Sequence, residues 1–256
     1  MTQVIDRLLR EVDPAPAELI NGDSESDIVF VCEHAGREIP AALGDLGLPP
    51  DKMDLHIAYD IGAASLARLL ADHFNAPLVM QPYSRLVIDC NRPIDVADSI
   101  PAISDGVTVP GNEKLMAEDR ERRVKEIFDP FQSAITALLD HPPRRAVFAL
   151  HSFTPVLGED RRPWDVGFLY RNDAVTSEAL AATIRRLDPS LSIGMNQPYT
   201  IDDTSDWFVP HHGEKRGLAH SLIEVRNDHL TSPEGRARWA GLLSVAITEL
   251  LGKDPT

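Results

Sequence analysis

Two apolar runs that each end in a histidine constrain this chain more than any other feature. The first, residues 28–40, reads IVFVCEHAGREIP: a β-branched run stops at Glu33-His34-Ala35-Gly36, and Pro40 closes the turn. A short, continuously apolar run bounded by turn residues marks a buried strand of an α/β sheet. The second, residues 146–155, reads AVFALHSFTP and sets His151 just beyond its apolar stretch. Open α/β sheets place their sites past the carboxyl ends of such strands. Either histidine alone reads as a structural residue, but two at one sheet edge make a candidate metal or acid–base site.

Strands of this kind need helices on both faces. Residues 62–74, GAASLARLLADHF, carry Ala63, Leu66, Ala67, Leu70 and Phe74 at helical spacing, with Leu69 widening the stripe. Residues 112–139 predict the longest helix, apolar at Leu115, Val124, Ile127, Phe131, Ile135 and Leu138, with Pro130 kinking or splitting it. Residues 174–187 predict another. A last helix has Ser232 at its N-cap, Pro233 in its first turn and Gly252 at its C-terminal cap. Strands are predicted at 164–170, 191–194 and 218–226, and residues 77–89 give two short strand-like runs broken at Pro82. Residues 94–111 lack periodicity and read as a long surface loop, a candidate cover for a site. Residues 197–217 are turn-rich, and His211-His212 within them read as exposed. Residues 1–26 read as a peripheral segment in which Ile5, Leu8 and Leu9 form a short amphipathic turn. The alternation of strands and helices predicts one domain over residues 1–256, a three-layer α/β/α sandwich on a mostly parallel mixed sheet.

Composition narrows the function. A hydrophobic content of 43% supplies a full core. A net charge of −15 argues against nucleic acid as a partner, because phosphate binding needs clustered Lys and Arg. A small anionic substrate remains open, given a local cluster of arginines. Two cysteines are too few for a disulfide framework or a cysteine-built zinc site. Cys32 reads as core, and Cys90 lies beside Asp89, whose charge disfavours a thiolate. No apolar segment approaches the ~18 residues of a membrane span. The first residues carry acids and no apolar core, unlike a signal peptide, so a cytoplasmic location is expected. There is no Gly-rich phosphate loop and no G-x-S-x-G elbow.

His34, His151 and one carboxylate suit a catalytic zinc, with three protein ligands and one open position. Glu33, Glu38 and Asp60 compete for the third place. Glu33 neighbours His34 on an extended backbone and tends to point the other way. Glu38 lies four residues on, a helical spacing. Asp60 is favoured because its loop, just before a helix, should open onto the same sheet edge. Glu224 lies inside the apolar strand HSLIEVR, and charged residues are rarely buried without a partner or a task. It is either an ion-pair partner of an arginine such as Arg226 or a general base. Arg85, Arg92, Arg171 and Arg226, with Asn91, lie near predicted strand ends and can read a substrate carboxylate through paired hydrogen bonds. The alternative is that Asp89 and Glu224 hold some of these arginines in structural bridges.

Taken in order, EHAGREIP, YDIGA, YSRLVIDCNRP, ALHSFTP, FLYRND and RGLAHSLIEVRND resemble the N-formylglutamate amidohydrolase family over residues 29–228. The resemblance implies a phosphorylase/hydrolase-like α/β/α fold related to zinc carboxypeptidases. It also implies metal-dependent hydrolysis of N-formyl-L-glutamate to L-glutamate and formate. His34 falls on the family's His-[Ser/Ala]-Gly motif, Asp60 on its Asp before the first long helix, and His151 on its second His. Glu224 falls on the acid of its Ile-Glu-[Ile/Val]-Arg strand, the position of the general acid/base. Glu-His-Ala-Gly stands where the histidine-degradation enzymes tend to have Pro-His-Ser-Gly, which marks a divergent branch. Another N-acyl or peptide-like amide, or a binding module without chemistry, are the competing readings.

Overall fold

The computed structural model describes residues 7–141 and 144–252. Ile5 lies outside the described residues. Strand β1 (Glu18–Ile20) is a short edge strand, and β2 (Ile28–Cys32) is the first apolar run. Helix α1 (Ala63–Phe74), β3 (Leu78–Met80), a hairpin of β4 (Ile103–Ser104) and β5 (Val107–Thr108), then α2 (Ala117–Arg123) and α3 (Asp129–Leu139) follow. The second half runs β6 (Ala146–Phe153), a hairpin of β7 (Val156–Leu157) and β8 (Asp160–Arg161), β9 (Val166–Leu169), α4 (Ala174–Leu187), β10 (Ile193–Met195), β11 (Ala219–Arg226) and α5 (Pro233–Leu250). Seven strands form the main sheet in the order β1-β3-β2-β6-β11-β9-β10. Four pairs are parallel; β1 on β3 and β9 on β11 are antiparallel. The sheet is mixed and mostly parallel, as the sequence predicts.

The central strands are buried along nearly all their length because both their faces are covered. Ile28, Phe30, Phe148 and Leu150 point to a layer with Leu66, Leu70, Leu180, Trp239 and Leu243, from α1, α4 and α5. Val29, Val31, Val147 and Ala149 point the other way, towards Ile127, Phe131 and Ile135. Each such side chain contributes about 1.5–3 kcal/mol by leaving water, which makes the central strands the rigid part of the molecule. Pro130 is accommodated without a break in the long helix: a π-helical turn, Val124–Phe128, joins α2 to α3 just before the proline, the kind of bulge that absorbs a ring lacking an N–H. At α5, Ser232 accepts a hydrogen bond from Gly235 N at 3.0 Å, and Gly252 ends the helix at φ 64°.

Three segments differ from the sequence reading. Leu86, Val87 and Ile88 are buried but form a turn, not a strand, because side chains take their carbonyls. Asn112 Nδ2 donates to Leu86 O and Arg123 Nη1 to Val87 O, both at 2.8 Å, which removes the need for a ladder. The 94–111 loop contains the β4–β5 hairpin, whose turn residues Asp105 and Gly106 both have positive φ, the Asp-Gly signal of a tight hairpin. The N-terminal segment is more than peripheral. Leu8 and Leu9 are buried, Glu126 accepts both their N–H groups at 2.9 Å, and β1 extends the sheet.

Candidate active site

Strands β2, β6 and β11 lie side by side, and the candidate residues gather at their carboxyl ends. Glu224 of β11 is the direct cross-strand partner of His151 on β6, so both side chains share a face. His34 leaves β2 on a tight turn. Gly36 is required there, since a Cβ would lie 1.9 Å from Pro82 O. Asp60 is tied to that turn by its own N–H, which donates to His34 O at 2.9 Å. Gly62 then starts α1 at φ 83° against Leu230.

His34, Asp60 and His151 converge. Asp60 Oδ2 lies 3.3 Å from His34 Nδ1 and 2.9 Å from His151 Nδ1, and one donor atom from each residue lies within 4.8 Å of the others. All are buried. Behind the rings, His34 Nε2 meets Asp89 Oδ1 at 2.7 Å and His151 Nε2 meets Glu33 Oε2 at 3.0 Å. A carboxylate behind each imidazole orients the ring and keeps the proton on Nε2, so that Nδ1 is free to coordinate. Burial alone would raise the Asp60 carboxyl, but His34 and His151 outweigh it and hold it well below the usual range. Burial likewise opposes charge on His151, and Glu33 with Asp60 pulls it the other way, well above an ordinary histidine. Two nitrogens and one oxygen facing one point, each nitrogen backed by a carboxylate, fit a zinc-like divalent ion. The acids present are also enough to offset its charge.

Glu224 stands beside this trio, buried, with Oε2 lacking any hydrogen-bond partner. Burial, with Asp60 adding to it, pushes its carboxyl up to about 7. A carboxyl poised near neutral pH and unpaired inside a cavity is suited to exchange protons with a bound molecule. The cavity it lines holds about 460 Å³ and also touches His34, Asp60, His151, Arg85 and Arg92.

The remaining candidates divide. Arg85 donates to Asp89 Oδ2 at 2.7 Å and to Asp60 Oδ1 at 3.4 Å. Arg92 donates to Ser205 O and lines the cavity wall. Asn91 is largely engaged: its Nδ2 donates to Asp206 Oδ2 at 2.7 Å, and its Oδ1 accepts from Trp207 N and Phe208 N. It lines the cavity and ties that wall to the 206–208 segment. Arg171 and Arg226 do not reach the cavity. Because β9 runs antiparallel to β11, its end carries Arg171 away to Glu214 and Asp203, and its start brings Asp165 to Arg226 at 3.2 Å. Glu38 is exposed, its backbone paired with Tyr83, and Glu33 lies behind His151. His212 is buried on Gln132 Oε1 at 2.7 Å, contrary to the exposed pair expected, while His211 stacks on Trp207 at 3.6 Å. Cys32 and Cys90 are buried, and burial first and Asp89 second push the Cys90 thiol well up.

Two buried acids at the site are not among the candidates that the sequence offers. Asp89 reads there as a neighbour of Cys90 and a partner for arginines, yet it also lies behind His34, 2.7 Å from Nε2. Its place in the apolar run LVID is the same signal that singled out Glu224. Asp206 is buried in the cavity wall, and burial lifts its carboxyl to about 6. Nothing in its turn-rich surroundings marks it.

The family model for N-formylglutamate amidohydrolase matches residues 26–231. A crystal structure of a gene product from Agrobacterium tumefaciens is 33% identical, with a TM-score of 0.91 over 96% of this chain and 98% of that one. An N-formylglutamate amidohydrolase from Ralstonia eutropha JMP134 shares the fold at a TM-score of 0.69 and 17% identity, over 93% of this chain and 98% of that one. No curated protein sequence matches significantly. Among the described residues, no helix is long and apolar enough to cross a membrane. With most of its length inside the family model, and its buried His-Asp-His group set at the strand ends, this chain belongs to the N-formylglutamate amidohydrolase family.

Proposed function

We propose that the chain is a zinc-dependent amidohydrolase that removes the acyl group of a small N-acylated acidic amino acid, with N-formyl-L-glutamate as the reference substrate. The observation that carries this reading is the convergence of His34 Nδ1, Asp60 Oδ2 and His151 Nδ1 beside the unpaired Glu224 carboxyl. His34, Asp60 and His151 would hold the metal, which would supply Lewis acidity to the amide carbonyl and to the attacking water. Glu224 takes the proton of that water and passes it to the leaving amine nitrogen, a relay suited to a carboxyl that lines the cavity with an oxygen free of other partners. Asp89 and Glu33 keep the two imidazoles oriented. Arg92, whose guanidinium lines the cavity and, among the described residues, donates to the carbonyls of Asn91 and Ser205, receives the substrate carboxylate. Arg85 is already shared between Asp60 and Asp89, so it adds positive potential more than a free fork.

The test measures metal content and formate release on one preparation purified without chelator. The reading expects about one zinc per chain, with turnover lost on chelation and restored by zinc. Asp60→Ala is expected to lose the metal and Glu38→Ala to keep it. Unchanged turnover after chelation, or a metal retained in Asp60→Ala and lost in Glu38→Ala, overturns the assignment.

A further inference from the structure

A second chamber adjoins the catalytic cavity. It holds about 320 Å³, and Arg85, Arg92 and Tyr199 line both spaces, so these three side chains form the boundary between them. The boundary is built: Arg162, itself buried, donates to Tyr199 Oη at 2.9 Å and lays its guanidinium over the ring at 4.8 Å. The far wall comes from the 94–111 loop and the β7–β8 hairpin, through Asp98, Ile103, Asp105 and Leu157. That loop is pinned. Asp89 N donates to Ser99 O at 2.8 Å, and Arg120 Nη1 donates to Ile94 O at 2.7 Å and to Ser99 Oγ at 2.8 Å. The loop expected to cover the site therefore walls a separate chamber beyond the arginines.

Size and charge say what the chamber is for. N-formylglutamate has about a dozen non-hydrogen atoms; even at a liquid water's ~30 Å³ each it would occupy about 360 Å³. The catalytic cavity accommodates that alone, and the second chamber is surplus to it. Past the two arginines the lining changes sign, to Asp98 and Asp105, with His56 Nε2 at 3.3 Å from Asp105 Oδ2. Ile103, 65% exposed, and Leu157 supply apolar surface beside them. A positive boundary followed by a negative, partly apolar chamber matches a carbonyl or carboxylate oxygen followed by an N–H and an aliphatic cationic side chain.

We infer that the substrate continues past Arg85 and Arg92 into this chamber by one more amide-linked residue, making it an N-acylglutamyl peptide with a cationic end residue. This rests on the amidohydrolase reading above and extends it. The bond cleaved is still the N-acyl amide: hydroxide from water goes to the acyl carbon, the proton to the amine nitrogen, and the peptide amide stays intact. Asp98 and Asp105 bind the cationic side chain, and Ile103 and Leu157 cover its methylenes.

The test compares kcat/KM of the zinc-loaded enzyme for N-formyl-L-glutamate with that for its lysine extensions through the α- and the γ-carboxyl, and for the matching aspartate extensions. At least one lysine extension is expected to exceed both the unextended compound and its aspartate counterpart by about tenfold, the discrimination that one charged hydrogen bond supplies. The double variant Asp98→Asn/Asp105→Asn should lose that preference and keep its rate on N-formyl-L-glutamate, which also shows that it has folded. The inference is overturned if the unextended compound is the best substrate, or if the double variant keeps the lysine preference. Absence of turnover with every compound removes the amidohydrolase reading itself, and this inference with it.

Discussion

Replacing Glu224 with Gln separates catalysis from stability in opposite directions. The carboxyl is buried with one oxygen unpaired, and its pKa rises from 4.5 to about 7. A carboxyl held more weakly acidic in the folded state adds stability below its unfolded pKa and loses it as pH climbs through the folded value. The shift of roughly 2.5 units corresponds to a penalty of about 3 kcal/mol for burying the ionised carboxylate, small near pH 4.5 and fully developed above pH 7. Gln keeps the shape and carries no charge. With chelator present, Glu224→Gln is therefore expected to resist urea better than the parent by about 2–3 kcal/mol at pH 8 and to differ little at pH 5. With zinc restored, the same variant loses its proton relay, and kcat should fall by about 10²–10⁴, or roughly 3–5 kcal/mol of barrier. Urea titrations at the two pH values and formate release measure both effects. A variant that keeps kcat within about threefold refutes the relay. Equal destabilisation at pH 5 and pH 8 refutes the buried-charge argument, because it would mean that the carboxylate is a structural partner.

Asp89→Asn should weaken zinc binding by about 10–100-fold, since Asp89 orients His34 through Nε2 and also holds Arg85; competitive titration against a chelating dye reads it, and an unchanged affinity rejects the orienting role. Arg92→Ala should raise KM for N-formyl-L-glutamate about tenfold or more, with a smaller change in kcat, whereas a change in kcat alone would place the substrate carboxylate elsewhere. Burial, with help from Arg216 and His211, lowers the His212 pKa from 6.5 to about 3. Stability from the neutral ring is thus full above pH 6.5 and declines as pH falls, by about 2 kcal/mol at pH 5. His212→Phe should flatten that acid limb in urea titrations, and parallel pH curves for the two proteins would remove His212 from the account.

The strands and helices that pack by pattern were legible in the sequence. Phe30, Val31, Phe148 and Ala149 sit in runs that only a doubly covered sheet accommodates, and the stripe of Leu66, Ala67 and Leu70 faces that sheet. Pro130 marked the irregular turn of the long helix. Where side chains replaced the backbone ladder, periodicity misled: Leu86 to Ile88 look like a strand, but Asn112 and Arg123 bond to their carbonyls from a distant part of the chain. Asp105-Gly106 is a hairpin turn signal, but no long alternating run flanks it to mark the two-residue strands on either side. For the site, strand-end position picked out His34 and His151, since a parallel sheet delivers its carboxyl ends to one edge, and a charge inside an apolar run picked out Glu224, which pairs across the sheet with His151 of β6. The strand-end rule misplaced Arg171 and Arg226. It assumes parallel neighbours, and β9 runs the other way beside β11, a reversal that residues 164–170 do not encode.

Charge explains why this edge needs so many acids. Glu33, Asp60, Asp89 and Glu224 are all buried within reach of two imidazoles and one guanidinium. Carboxylates so close together repel, and each unpaired one costs several kcal/mol away from water. Without an ion, protons carry the balance: His151 is pushed towards its charged form, while Glu224 is pushed towards its neutral one. A divalent cation between His34, Asp60 and His151 would replace the extra proton of His151 and relieve Glu224 of the need for its own. Zinc affinity should therefore fall steeply with pH below neutrality, and zinc uptake should release protons. Calorimetric titrations in buffers of different ionisation enthalpy measure that release directly. Proton-neutral uptake would mean that His151 already stands neutral and that some group other than the metal balances these acids.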